Sequence, residues 1–186
     1  MAANFDTQSD IELVDICNTG DAKSAEAAFS ALYNRHKNFV VRVAVGIVGD
    51  NAVALDTLQE TFTWLLKQFP PEGDGLTLTA KLTTLLYPVT KNFAISEWRR
   101  GSALAADADP DELEAPGTDT ANDVQRVLRE LSFQHREVAM LRFVHGMSLA
   151  EIAEALEVPP GTVKSRLHSA VTQLRNSPKL KAFFER

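Results

Sequence analysis

Apolar residues recur along this chain with the period of a helix, in runs too long for strands. Residues 9–18 predict a short amphipathic helix, closed by the turn Asn18-Thr19-Gly20-Asp21. Residues 24–48 predict a long one. Its stripe of Phe29, Leu32, Tyr33, His36, Phe39, Val40, Val43 and Ile47 falls at i, i+3, i+4, i+7. Gly49-Asp50-Asn51 breaks that pattern. A third helix is predicted over 52–69, with Val53, Leu55, Leu58, Phe62, Leu65, Leu66 and Phe69 apolar and Asp56, Gln59, Glu60 and Thr63 along another face. A loop at 70–75 leads to a helix from about 78 to 100 with Pro88 inside it, where a kink is expected.

Residues 147–175 carry a denser signal. Ser148 followed by Glu151 reads as a capping box, and Leu149, Ile152, Ala153 and Leu156 then line one face of a short helix. Pro159-Pro160-Gly161 stops it, because two prolines cannot continue a helix interior. A second helix can start at Pro160 or Gly161, where a missing N–H costs nothing. Val163, Leu167, Ala170 and Leu174 form its inner face. Thr162, Lys164, Ser165, His168 and Thr172 point outward, with Arg166 and Arg175 near the edges. Two short helices around a tight turn, the second outwardly polar and basic, make a helix-turn-helix whose second helix can enter a major groove.

The net charge of −6 argues against a nucleic-acid binder until it is divided along the chain. Residues 101–123 hold seven acidic side chains and no Lys or Arg; residues 124–186 carry +4 and residues 1–100 carry −3. The basic excess therefore lies in the segment with the helix-turn-helix, as counterion release requires. The acidic stretch 101–123 is rich in Ala and lacks aromatics, so a flexible linker is expected there. The expected organisation is all-α: a helical domain at 1–100, the linker at 101–123 and a helix-turn-helix domain at 124–186. The lone Cys17 excludes an internal disulfide, and the four scattered His residues suggest no metal site. No cofactor is expected. No apolar run approaches the roughly 20 residues of a membrane span. Residues 1–10 lack the marks of a signal peptide, so a cytoplasmic protein without membrane insertion is expected.

Within residues 128–175 stand Arg136-Glu137-Val138, Leu141-Arg142, Gly146, Ser148, Glu151-Ile152-Ala153 and the run GTVKSRL from Gly161 to Leu167. These residues resemble the promoter −35 reading domain of sigma-70 family factors of the extracytoplasmic-function (ECF) group. In the first hundred residues, "ALYNRHKNFVVRVAVGIVGD", "ALDTLQETFTWLLKQF" and "LLYPVTKNFAISEWRR" resemble the −10 reading and melting domain of the same factors. The resemblance implies a dissociable, non-catalytic subunit of bacterial RNA polymerase. The implied partners are the polymerase core (the β′ clamp helices and the β subunit), promoter DNA and an anti-sigma factor.

Residue by residue, the resemblance assigns polymerase binding to Asp56, Gln59, Glu60 and Phe62. It assigns the −10 element to Phe69 and Asn92 as a base pocket, with Lys91, Trp98, Arg99 and Arg100 along the strand. Contacts to −35 DNA fall on Thr162, Lys164, Ser165, Arg166 and His168. The chain departs from the family at Glu157 in place of a Gly expected near the left-handed region, at Leu55 in place of an acid, at Leu85 in place of Trp, and at Pro88. Leu55 makes the docking helix less acidic, and a phosphate on Thr57, Thr61 or Thr63 would restore charge. Two other readings are a sigma-like decoy that only binds an anti-sigma protein and a helix-turn-helix regulator with an unrelated sensing domain.

Overall fold

Caps written into the sequence decide where the helices begin. The computed structural model describes residues 5–101, 128 and 130–176. Ser9 opens α1 (Asp10–Thr19) with a reciprocal box: its hydroxyl accepts the Glu12 N–H at 3.3 Å, and the Glu12 carboxylate accepts the Ser9 N–H at 2.7 Å. Asp21 caps α2 (Ala22–Val48) and Asp50 caps α3 (Asn51–Leu66), each carboxylate accepting two backbone N–H groups. Gly49 ends α2 at φ 72°, a conformation that a side chain would strain.

Two boundaries differ from the sequence expectation by three residues or more. Helix α3 ends at Leu66 rather than at Phe69, because the N–H groups of Gln68 and Phe69 turn back onto the carbonyls of Leu65 and Leu66. Helix α4 (Leu82–Gly101) starts later than residue 78. The Asn18 side chain bonds both backbone groups of Leu76, at 2.8 and 2.9 Å, and holds the approach to α4 as a loop. Helix α4 then runs through Pro88.

Helices α1–α4 pack on one another around Leu13, Leu32, Val40, Leu65, Leu82 and Leu86, all fully buried. The predicted stripe of α2 is the buried one, from Leu32 through His36, Phe39, Val40 and Val43 to Ile47. An aromatic group fills one end of this core: Phe29 stands edge-on to Phe62 and to Phe69, each at 6.3 Å, and Tyr33 to Phe62 at 4.8 Å. Asp10 fastens α1 to α2 through Arg35 at 2.7 Å and His36 at 2.9 Å. Burial pushes the Asp10 carboxyl up, but its bonds to His36 and Arg35 outweigh that and leave it below the usual carboxylate range.

The second unit comprises α5 (Phe133–Ala139), a π-helical turn at Met140–Val144, α6 (Leu149–Ala155) and α7 (Pro160–Asn176). The predicted capping box opens α6, with Ser148 N–H on the Glu151 carboxylate at 2.7 Å. Helix α6 closes in a Schellman turn: Val158 N–H donates to Ala153 O and Glu157 N–H to Glu154 O. Glu157 is the left-handed residue of that turn, at φ 53°, where its departure from the family's Gly anticipated a strained position.

The two units are packed together. One apolar cluster runs from the core of α1–α4 into Phe133, Val138, Leu141, Ile152 and Val163. Helix α4 lies against α6, and the Phe39 ring meets His145 edge-on at 5.0 Å. The linker expected over 101–123 lies outside the described residues, apart from Gly101 at the end of α4. Among the described residues no helix is long and apolar enough to cross a membrane, and no group of three or more His, Cys, Asp or Glu could hold a metal ion.

Candidate nucleic-acid and polymerase interfaces

Helix α7 is seated by Val163 and Ala170, both fully buried. Anchoring one face at this spacing turns the opposite one outward. Lys164, Ser165 and His168 are exposed there, whereas Thr162 and Arg166 are half-buried at its sides. The Ser165 hydroxyl donates to Thr162 O at 3.0 Å and can still accept. Three of the five residues expected at −35 DNA thus form an open polar face, beside Thr172 and Arg175, which are also exposed.

The residues expected at the −10 element are divided differently. Tyr87, Lys91 and Trp98 share one side of α4 at i, i+4, i+11; Asn92 and Arg99 share another at i, i+7. Asn92 is exposed. The Lys91 ammonium donates to Glu137 Oε1 at 2.6 Å and lies 5.2 Å from the centre of the Phe133 ring. The Tyr87 hydroxyl donates to the same oxygen at 2.8 Å. Burial first, and the Glu137 carboxylate second, hold the Tyr87 hydroxyl well above its ordinary range. Arg100 pairs with Glu97 at 2.8 Å. Phe69 does not belong with these groups. It is 3% exposed and packed on Phe29, so its ring is closed to a base.

Just before α4, Lys81 pairs with Glu151 of α6 at 2.8 Å. That bond and the Ser148 N–H hold the Glu151 carboxyl down to about 2. Thr77, Thr79, Thr84 and Pro88 face Glu154 and Glu157 across the same groove. The Thr84 hydroxyl is buried there and has no hydrogen-bond partner among the described residues.

On α3, Asp56, Gln59 and Glu60 are exposed, as the docking role requires. Phe62 is not: it is 5% exposed and belongs to the aromatic core. The large apolar side chains exposed on α3 are Leu55, 54% exposed, and Leu66, 52% exposed. With Gln59 and Thr63 they follow i, i+4, i+8, i+11 and share one face. Their phase was legible in the sequence, since both fall out of step with the buried stripe. Thr57 and Thr61 are fully buried, and the Thr57 hydroxyl donates to Val53 O at 2.8 Å, so neither can meet a kinase in this fold; Thr63 is exposed. Cys17 is also core, its thiol pushed up to about 11 by burial.

A helix-turn-helix with an open recognition face, joined to a second helical unit that presents an exposed acid and amide face, defines a DNA-reading protein built to dock on another. Comparison with known proteins narrows the class. Residues 32–103 match the model of sigma-70 region 2, and residues 121–174 match that of sigma-70 region 4. The ECF RNA polymerase sigma factor SigL of Mycobacterium tuberculosis is 34% identical over 167 residues, covering 84% of this chain and 92% of that protein. Among solved structures, CnrH in complex with the cytosolic domain of CnrY has a TM-score of 0.66 at 21% identity, covering 96% of this chain and 98% of that one. The sigma factor RpoE in complex with the anti-sigma factor NepR from Bartonella quintana has a TM-score of 0.61 at 22% identity, covering 82% and 96%. The chain belongs to the ECF group of the sigma-70 family, the RNA polymerase factors that direct promoter recognition and transcription initiation.

Proposed function

We propose that the chain reads the two promoter elements with its two helical units, residues 1–100 taking the −10 element and residues 124–186 the −35 element, with 101–123 as tether. The observation that carries this reading is the seating of α7, whose buried Val163 and Ala170 turn Lys164, Ser165 and His168 outward. A helix so presented fits a major groove about 12 Å wide, with donors for base edges and phosphates. Thr162 and Arg166 would reach the same DNA from the sides of the helix.

Core polymerase docks on α3. Asp56, Gln59 and Glu60 supply the polar contacts to the β′ clamp helices, and Leu55 and Leu66 take the apolar anchoring that the resemblance placed on Phe62. The exposed Thr63 is the one hydroxyl of the three on which a phosphate would add about −1.5 to −2 charge to this face. At the −10 element Asn92 offers a donor and an acceptor to an unstacked base, and Lys91, Trp98, Arg99 and Arg100 follow the strand. The chain supplies no catalytic group; polymerase carries out the chemistry, in the cytoplasm. RpoE is in complex with the anti-sigma factor NepR, and CnrH with the cytosolic domain of CnrY; an inhibitory anti-sigma partner is proposed for this chain.

The test is run-off transcription with core polymerase, together with permanganate reactivity of −10 thymines. Asn92→Ala should leave core binding and −35 binding unchanged and weaken opening of a duplex promoter by about 1–3 kcal/mol. The defect should shrink on a template already unpaired at −10. Equal reactivity of Asn92→Ala and wild type on the duplex would remove Asn92 from the site.

A further inference from the structure

One groove answers to none of the roles assigned above. It lies between the end of α6 and the start of α4 with its approach loop, and its volume is about 180 Å³. Leu78, Leu85 and Pro88 give it apolar walls, and Glu154 and Glu157 stand at its edge. Three of these residues, Leu85, Pro88 and Glu157, are positions at which the chain departs from the family pattern. Glu157 keeps its place at φ 53°, where an L-residue is strained. Both carboxylates are exposed, and neither has an ion pair among the described residues. Lys81 also lines the groove, but its charge is matched by Glu151 at 2.8 Å. Two negative charges are therefore left uncompensated.

Thr84 is an independent observation. It lines the groove and is 4% exposed, yet its hydroxyl has no hydrogen-bond partner among the described residues. Thr57 and Thr90, also buried on helices, return their hydroxyls to the carbonyl four residues back, Val53 at 2.8 Å and Leu86 at 2.7 Å. For Thr84, two residues past the start of α4, that carbonyl belongs to Ala80 in the loop. A buried hydroxyl without a partner is unfavourable, and a donor in the groove would relieve it.

We propose that this groove binds a short aliphatic diamine, two ammonium groups on a stem of a few carbons. The polar groups around it can all accept: two carboxylates and the hydroxyls of Thr77, Thr79 and Thr84. A diammonium offers only donors, matches the two charges and lays its stem on the apolar walls. The size agrees, since a cavity of about 150 Å³ takes up benzene, a molecule of about six non-hydrogen atoms. Exposed carboxylates by themselves hold a cation weakly. The walls and the bond to Thr84 make the site selective. A metal ion fits less well, because no group of three or more His, Cys, Asp or Glu gathers among the described residues.

The experiment uses the full chain, with putrescine as the probe. The melting temperature should rise with putrescine and calorimetric titration should show one saturable site, because a ligand of the folded state stabilises it by mass action. n-Butylamine, with the same stem and one ammonium, should bind at least about tenfold more weakly. Magnesium chloride at the same ionic strength should show no such site. Glu154→Gln combined with Glu157→Gln should lower putrescine affinity at least about tenfold and leave the melting temperature without ligand unchanged, as both side chains are exposed. Leu85→Trp should fill the groove and abolish binding. If Leu85→Trp is not folded by circular dichroism, Thr84→Val takes its place; it keeps the shape, removes the hydroxyl and should weaken binding several-fold. No saturable binding to wild type overturns the proposal. So does wild-type affinity in the double glutamine variant, or equal binding of n-butylamine or magnesium, either of which would mean a diffuse counter-ion effect.

Discussion

Lys91 and Glu137, 46 residues apart in the chain, meet at 2.6 Å across the boundary between the two helical units. One belongs to the helix expected to follow the −10 strand. The other belongs to the Arg136-Glu137-Val138 run within the stretch that matches sigma-70 region 4. Their pairing makes the relation between the units part of the chemistry of the site, and several consequences can be measured.

The recognition helix gives the first. Lys164→Ala and Arg166→Ala should each weaken −35 binding and lower the slope of log affinity against log salt by about 1 for every phosphate left unneutralised. Lys164 is exposed, so its variant should keep the wild-type melting temperature. Wild-type initiation by both variants across a salt series would detach α7 from DNA.

Docking gives the second. Leu55→Asp, and separately Asp56→Arg with Glu60→Arg, should lower affinity for core polymerase by at least about tenfold, as removal of a central anchor does. All three residues are exposed, so thermal unfolding should shift by less than about 0.5 kcal/mol. Phe62→Ala should behave in the opposite manner. It removes a core ring and should cost about 3–5 kcal/mol of stability before any effect on docking is visible. Native gel shift with core and differential scanning calorimetry separate the two patterns.

A third concerns acid. Burial, and then the nearby Arg42, hold His145 down to about 4 from its ordinary 6.5. A histidine lowered in the folded state binds its proton more readily when unfolded, so folding gains stability as pH rises through this window. The contribution of His145 is complete above about 6.5 and is lost as pH falls toward about 4. Urea unfolding from pH 7 to 4.5 should therefore show a loss of stability that His145→Phe reduces. An identical pH slope in the variant would place the loss on other groups.

The Schellman turn gives the fourth. Glu157 holds φ at 53°, a region that costs an L-residue about 1–2 kcal/mol. Glycine escapes that strain but loses more backbone entropy on folding. Glu157→Gly should thus raise stability by a net of about 0.5–1 kcal/mol, visible as a higher melting temperature. A lower melting temperature would mean that the Glu157 side chain, at the edge of the groove with Thr77 and Lys81, contributes more than its backbone costs.

Much of the fold could be read directly, and the reasons are local. Ser148 with Glu151 set the start of α6, Gly49 the end of α2, and Pro159-Pro160 the break in the helix-turn-helix, because capping and φ preference act within a few residues. The α2 stripe was legible because one face of a long helix carries it without interruption. The site was only partly legible. Phe62 and Phe69 fit the family's pattern as contacts, yet both rings turn into Phe29, and Leu55 and Leu66 reach the surface instead. Helical phase gave warning for the two leucines. Nothing in the run from Phe133 to Val144 announced that α5 would widen into a π-helical turn.

By itself, then, the sequence determined the class of fold, the helix-turn-helix and its outward residues, since each depends on periodicity, caps and turn chemistry within one element. Only the tertiary structure decided what those residues meet. A lysine carries its charge in any sequence, but whether its partner is a phosphate, water or Glu137 depends on which helices pack. Burial of Ile47 and Phe133 between the units, with Met140 partly buried beside them, holds them together and places Lys91 on Glu137. That burial is a property of two surfaces fitting, which no single stretch of chain contains.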